Sequence, residues 1–442
     1  MMKYMSTTIR HFLFFSIVFL SVTAQGQELL TLDQALSEGL ENNLRIKLAE
    51  TDFAIDQQNN TPGNAGMLPS VMVSSNLRGA NTTGEQVFTT SPEPRTFENA
   101  KTSSFDLAPT LSWTLFDGRR MFIAKERLQL LEESGYQNVQ QVLQDITAQV
   151  MKAYYQVILE QEKLAVAENT LLLSEQRLEV ATSKFDVGRA SKLEKLSAQV
   201  DYNEDISART RQQQALRQAQ VALNNLLARD ATTSFVASDT IIIDRELELT
   251  ALREQVLAQN LQLRQLTIAR EVQEKLLGEA RAGRWPLLTA NFGYSYNTRE
   301  SGSGIFVSSA EYGLNYGLGF TWTLFNGWNQ QRLIANALTS QKRATFEYQQ
   351  QENDLLASLT SLYAGYETNY ELITLEQQNL AVAIENEDIA RERYQVGRSN
   401  ALEYREAQQN AASAEIRLLE AIFNTRVAEI DLLLLSGQIT QD

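Results

Sequence analysis

A seven-residue phrase occurs twice in this chain: Ser112-Trp113-Thr114-Leu115-Phe116-Asp117-Gly118 returns as Thr321-Trp322-Thr323-Leu324-Phe325-Asn326-Gly327. Phe185-Asp186-Val187-Gly188-Arg189 returns as Tyr394-Gln395-Val396-Gly397-Arg398 at the same offset of 209 positions (321 − 112 and 394 − 185). Upstream, Asn43-Leu44 matches Asn260-Leu261 and Pro69 matches Pro286, at an offset of 217 (260 − 43). The first copy therefore holds 8 extra residues (217 − 209) between its two strand-like segments. Two copies of one unit, differing in one loop, make a repeat architecture rather than a single-site enzyme fold.

The prolines delimit the helices. All six, Pro62, Pro69, Pro92, Pro94, Pro109 and Pro286, avoid positions 110–285 and everything after 286. Those stretches are rich in Ala, Leu, Glu, Gln, Arg and Lys, which favour helix. Long helices are expected at about 119–187 and 328–396, and shorter ones at about 31–61, 191–229, 247–282 and 400–436. A helix of about 69 residues is roughly 100 Å long, too long for one compact core. The two shorter helices of each unit together nearly equal the long one. Stacked end to end beside it, they would build a single-layer wall of antiparallel helices. A solvated coiled-coil spacer is the alternative.

Between the short and the long helix of each unit lie two strands. In 312–324, Tyr312, Leu314, Tyr316, Leu318, Phe320, Trp322 and Leu324 alternate with Gly313, Asn315, Gly317, Gly319, Thr321 and Thr323. Leu288, Ala290, Phe292, Tyr294 and Tyr296 alternate likewise with polar or small residues, and 71–78 and 107–116 repeat the pattern more weakly. Strands of about 9–13 residues, apolar on one face and polar on the other, match a transmembrane β-barrel. A half-buried sheet on a soluble core has the same period. Four strands cannot close a barrel and open edges are not tolerated in lipid, so other copies must complete it. Three copies would supply 12 strands and 12 helical columns.

Composition removes whole classes of chemistry. Residues 1–24 read as a secretory signal: Lys3 and Arg10, an apolar run from Phe12 to Leu20, and Val22-Thr23-Ala24 at the cleavage site. The only histidine, His11, lies inside it, and there is no cysteine. The remainder lacks the usual zinc ligands, His-based general bases and thiolate nucleophiles. No catalytic set, metal site or cofactor site is expected. Without Lys3 and Arg10 the chain has 37 basic and 54 acidic residues, a net charge of −17. That balance disfavours nucleic acid and, lining a passage, favours cations. The expected organisation is a signal at 1–24, a first repeat at 25–229, a linker at 230–246 and a second repeat at 247–442.

Val187-Gly188-Arg189 and Val396-Gly397-Arg398 end the two long helices. Glycine just past a helix end is an ordinary left-handed stop. Ser191-Lys192-Leu193-Glu194 and Asn400-Ala401-Leu402-Glu403 then read as capping boxes. Hairpin formation accounts for Gly188, Gly397, Ser191, Asn400, Glu194 and Glu403, but not for Val and Arg flanking the glycine twice. A hairpin tip about 100 Å from the strands is placed to meet a partner.

The signal, the doubled strand–strand–long-helix unit, the Leu-Phe-(Asp/Asn)-Gly phrases and the (Phe/Tyr)-x-Val-Gly hairpins together resemble the TolC family of outer-membrane efflux proteins. The resemblance covers nearly the whole chain after the signal. It implies a trimeric 12-stranded barrel in outer-membrane lipid, continued by a periplasmic α-helical barrel. Such a protein works with a periplasmic adaptor and an inner-membrane pump. By the same resemblance Val187, Gly188, Arg189, Val396, Gly397 and Arg398 meet the adaptor, and Tyr394, Glu403 and Glu406, with Glu194 in the first unit, form the periplasmic gate. The family's prototype has an arginine two positions after the second glycine; here Ser399 stands there and Arg398 precedes it. The function implied is a passive exit duct for small molecules such as drugs or metal ions. The exit duct of a one-step protein-secretion system is the near alternative. A periplasmic coiled-coil scaffold is the alternative of another class. An envelope hydrolase is disfavoured by the missing His and Cys and by the absence of a G-x-S-x-G motif.

Overall fold

The computed structural model describes residues 28–243, 247–303 and 306–439. The expected signal lies outside them, as do residues 244–246 of the expected linker. The chain runs β1 (Glu28–Leu30), α1 (Leu32–Asn42), α2 (Leu44–Asn59), β2 (Ser70–Phe88), β3 (Ser91–Phe116), α3 (Arg120–Asp186) and α4 (Lys192–Leu226). It continues with β4 (Phe235–Ala237), α5 (Leu249–Gln259), α6 (Leu261–Ala282), β5 (Leu287–Ser301), β6 (Ser308–Thr321), α7 (Asn329–Gln395) and α8 (Ala401–Ser436).

Four strands form one antiparallel sheet in the order β2-β3-β5-β6. Their register aligns the alternation across all four. Val71, Leu111, Phe292 and Tyr316 form one row; Val73 and Pro109 lead to the next, where Tyr294 faces Leu314. The opposite face carries rows such as Ser70, Ser112, Asn291 and Gly317. Among the described residues no helix covers the apolar face: Leu314 is 79% exposed and Tyr316 82%. A sheet whose bare face is aliphatic and aromatic belongs in hydrocarbon. The apolar rows run from Leu288–Phe320 to Leu77–Phe105. That is about ten residues, roughly 33 Å of strand, or about 25 Å of membrane at a 45° tilt.

Two strand expectations need correction. The strands are 14 to 26 residues long rather than about 9–13. β3 leaves β5 at Thr102–Ser301, yet its ladder with β2 continues to Phe88–Ser91. The 8 extra residues of the first repeat thus lengthen a hairpin rather than a loop. The continuation is rich in Thr, Glu and Gln, which suit water on both faces. At the other end β6 stops at Thr321, so Trp322 and Leu324 lie beyond the strand.

The repeated phrase turns strand into long helix. Gly118 and Arg119 are both left-handed (φ 72° and 70°), as are Gly327 and Trp328 (66° and 63°). Asp117 Oδ2 accepts from the Met121 amide at 2.9 Å, and Asn326 Oδ1 from the Gln330 amide at 3.2 Å. Each supplies a partner for one orphan donor of the first turn. Trp113 Nε1 donates to the Met67 carbonyl at 3.0 Å, and Trp322 Nε1 to that of Arg284 at 3.1 Å. The duplicated tryptophan ties the end of the second strand to the turn before the first.

The helices form four columns. α3 touches α2, α4, α6 and α8, whereas α7 touches α5, α6 and α8. Asn43 caps α2 and its Nδ2 donates to the Leu226 carbonyl at the end of α4, 2.8 Å away. Asn260 caps α6 and donates to Leu435 at the end of α8, 2.9 Å away. The duplicated asparagine is therefore a joint, stacking α2 on α4 and α6 on α8. The expected helices at 31–61 and 247–282 are each broken at this joint, which sets α1 and α5 apart from the columns.

That break corrects the single-layer wall. At mid-height α1, α5 and the parallel pair β1–β4 add a second layer. α3 carries apolar residues on more than one face there: Ile146, Val150, Tyr154, Val157 and Ile158 are buried, against Leu30, Ala35, Leu223 and Phe235. The described part of the expected linker thus contributes a buried strand. Tyr154 Oη donates to the Leu30 carbonyl at 2.8 Å, and Tyr363, 209 positions later, to that of Leu247 at 3.0 Å. Burial raises both phenol pKa values, so both tyrosines remain neutral donors.

Candidate functional site

The two hairpin tips have the same backbone. Gly188 and Gly397 are left-handed at φ 75° and 76°. The Arg189 amide donates to the Lys184 carbonyl and the Arg398 amide to that of Arg393, both at 2.8 Å. The Gly188 amide reaches Phe185 at 2.9 Å, and that of Gly397 reaches Tyr394 at 3.1 Å. This is the two-bond Schellman closure of a helix end. Ser191 Oγ accepts from the Glu194 amide at 3.2 Å, and Asn400 Oδ1 from the Glu403 amide at 2.8 Å. The capping boxes are realised in this first half; neither cap shows the return bond that closes the box at Thr31 and Gln34.

What the closure leaves outside is apolar. Val187 and Val396 are each 69% exposed, and Leu193 and Leu402 are 74% and 73% exposed. Arg189 and Arg398 are exposed beside them. The sequence reading passed over Leu193 and Leu402. The missed signal was a second exposed apolar residue repeated at the 209 offset.

The expected gate residues fall into separate groups. Tyr394 is buried, stacks on Tyr404 at 5.7 Å between centroids, and lies under Lys184 Nζ at 4.1 Å. Burial raises its pKa, and the nearby Glu194 raises it further. The contact across the two hairpins at Tyr394 is with Lys184; the Tyr394 hydroxyl has no hydrogen-bond partner among the described residues. Glu403 is engaged within its own hairpin: it accepts from Arg393 Nη1 at 2.8 Å and from Ser399 Oγ at 2.6 Å. Ser399, two positions after Gly397, holds that carboxylate locally. Glu406 is exposed.

A charged cluster that the sequence reading missed lies just above. Arg177 on α3 is 4% exposed, with Nη2 3.9 Å from Asp201 of α4. Arg405 of α8 reaches Asp201 at 3.3 Å, Glu204 at 2.8 Å and Asp205 at 3.9 Å. Burial lowers the Arg177 pKa, and Asp201 partly offsets this. Burial raises that of Asp205, against the pull of Ser174, Arg405 and Arg177. Arg177 Nε and Nη1 have no partner among the described residues. One arginine of the second hairpin is thus clamped by three carboxylates of the first. A charge on the buried face of a long helix was the signal available in sequence.

Both repeats have counterparts among known proteins. A family model described as outer membrane efflux protein matches residues 35–229 and 252–438, one stretch per repeat. Outer membrane protein TolC of Vibrio cholerae serotype O1 is 25% identical over 227 residues. That match spans 50% of this chain and about half (49%) of the relative's length. The Campylobacter jejuni CmeC outer membrane channel superposes with a TM-score of 0.78 at 15% identity, over 92% of this chain and 85% of that one. The outer membrane protein VceC of Vibrio cholerae gives a TM-score of 0.73 at 13% identity, over 92% and 96%.

Proposed function

Since the chain belongs to the outer membrane efflux protein family, a family of outer-membrane channels rather than of enzymes, we propose that it is the exit duct of a tripartite efflux system. Three copies close a 12-stranded barrel in outer-membrane lipid and a helical barrel in the periplasm. The duct passes small molecules, drugs or metal ions among them, from an inner-membrane pump and a periplasmic adaptor to the exterior.

One observation carries this reading. The open edges of the molecule fall on the same two flanks from top to bottom. β2 is one edge of the sheet and follows α2, which is stacked on α4; β6 is the other edge and leads into α7. Both flanks present bare apolar side chains, such as Val200 on α4 (65% exposed) and Val382 on α7 (67%). Strand edges cannot remain open in lipid, and apolar flanks do not remain bare in water. Identical copies joined flank to flank satisfy both requirements. At the far end the exposed Val187, Leu193, Val396 and Leu402, with Arg189 and Arg398, offer an adaptor a doubled apolar and cationic contact.

Native mass measurement in mild detergent, paired with planar-bilayer recording, tests the proposal. A trimer with single-channel conductance is expected. A monodisperse monomer that conducts would overturn the assembly. A trimer that never conducts, even after the hairpin ties are removed, would leave a scaffold.

A further inference from the structure

A cavity of about 350 Å³ lies between α3, α7 and α8, above the tips. Its floor is the small-residue face of α8 at Ala411 and Ala412, and its walls include Leu173, Leu380 and Ile384. The volume falls within the range of small-molecule sites.

The polar groups in it are unevenly matched. Glu387 of α7 and Glu415 of α8 both line the cavity, and neither has an ion pair or hydrogen bond among the described residues. Arg391, the one cation in the described lining, is already paired with Asp388. Gln408 is 5% exposed, and its Nε2 has no hydrogen-bond partner among the described residues. A buried donor without an acceptor is costly unless something else supplies one. Burial also raises the pKa of both glutamates. Arg391 opposes this at Glu387, where Asp388 and Glu415 reinforce it; Glu162 reinforces it at Glu415. A cation between the two carboxylates would relieve that repulsion.

Three demands therefore converge: a positive charge between two carboxylates, an acceptor oxygen opposite Gln408, and an apolar body against leucine and isoleucine. We propose that this cavity binds a small amphiphilic amino alcohol, with its ammonium between Glu387 and Glu415 and its oxygen accepting from Gln408 Nε2. The site goes beyond the exit-duct reading, since it rests on the geometry of one protomer and requires neither conduction nor an adaptor.

Propranolol is a suitable probe, because it carries a secondary ammonium, a hydroxyl and ether oxygen, and a fluorescent naphthyl group. Its anisotropy is titrated with the purified full chain in mild detergent, and the neutral 1-naphthol serves as the control for partition into the micelle. The expected result is saturable binding of one probe per protomer. It should weaken at least about tenfold in Glu387→Gln/Glu415→Gln, as for loss of charged hydrogen bonds. Gln408→Leu should weaken it by about threefold or more. Ala412→Leu, which fills the floor and keeps both carboxylates, should abolish it. Oligomer size and melting temperature are followed for each variant. If the charge variant does not assemble, Ala412→Leu decides. Absence of saturable binding overturns the proposal, and is also what a groove reserved for another protein's helix would give. Equal affinity for 1-naphthol, or binding unchanged in the charge and filling variants, overturns it as well.

Discussion

The first and second hairpins share a backbone and differ in charge. Residues 209 apart are interchangeable where they shape the turn: Gly188 and Gly397, Ser191 and Asn400, Val187 and Val396, Leu193 and Leu402. They diverge on the helix faces just above. Arg405 stands where the first hairpin has Leu196, Glu387 where it has Leu178, and Glu415 where it has Ile206. Even the aromatic stack is one-sided: Tyr394 rests on Tyr404, whereas Phe185 takes Lys195 over its ring at 5.3 Å. Duplicated residues make the fold. Residues present in one copy break its symmetry: these carry the clamp and the two cavity carboxylates, whereas Gln408 repeats as Gln199.

The sharpest test of that division lies at the membrane end, where duplicated glycines occupy unequal surroundings. A Cβ on Gly118 would lie 2.7 Å from the Ala282 carbonyl oxygen and from Trp285 Cβ; on Gly327 it would meet nothing within 4 Å. Both are left-handed, so alanine at either is strained by about 1–2 kcal/mol. Within one protomer, only Gly118→Ala must also move backbone. It should sharply reduce the yield of folded chain, whereas Gly327→Ala, on the flank that a neighbouring copy would cover, should leave the chain folded and act on assembly. Equal losses in the two variants would mean that backbone conformation alone governs the phrase.

Next in size is the clamp. Arg405→Met leaves Asp201 and Asp205 part-buried without that partner, and removing one member of a buried charged group costs about 3–5 kcal/mol. The cost falls on the contact between hairpins, because the packing of α7 on α8 and the Schellman closures remain. The expected result is a normal trimer with higher single-channel conductance and faster proteolysis near the tips. Leu196→Met, at the repeat-equivalent position, keeps an apolar side chain and should change neither. Parent-like conductance in Arg405→Met would show that the hairpins are held elsewhere.

The division also explains what could be read from sequence. Periodicity located every long helix, because 67-residue elements without proline leave few alternatives. Alternation located all four strands of the sheet. Their ends were misjudged, because the ladder from Thr82 to Phe88 continues in water after its apolar signal has faded. β1 and β4 were missed because three-residue strands have no period. At the site, self-comparison exposed the turn residues, since they repeat. It was blind to Arg177, Arg405, Glu387 and Glu415, which do not repeat, and the repeat of Gln408 as Gln199 gave no hint of its role, which depends on which helices become neighbours.

The exposed tips allow a smaller effect to be measured. If docking uses both hairpins, Arg189→Glu and Arg398→Glu should each weaken adaptor binding, and the double variant more than either. A combined loss of about tenfold, or about 1.4 kcal/mol, is expected for solvent-facing charges. The backbone closure uses amides, so trimer yield should not change. Unchanged adaptor crosslinking in the double variant would reduce the repeated arginines to helix-end charges that favour the dipole.

The smallest effect belongs to the carboxylates of the second tip, and it should have two signs. Glu406 is exposed, whereas the first hairpin has Ser197 at the equivalent position. Glu403 is paired with Arg393 at 2.8 Å, in an exposed bridge of the kind that contributes only about 0–1 kcal/mol. If three copies place these groups around a narrow mouth, Glu406→Gln removes unpaired negative charge and should lower cation selectivity. Arg393→Gln removes the positive partner and leaves Glu403 in place, so it should raise selectivity. Both shifts should shrink as salt rises toward 1 M, where charges more than about 3 Å apart are screened. Reversal potentials across an asymmetric salt gradient report the sign directly. Shifts of the same sign, or none in either variant, would place the selective constriction away from this tip. The part-buried carboxylates Asp201 and Asp205 above it would then be the next residues to neutralise.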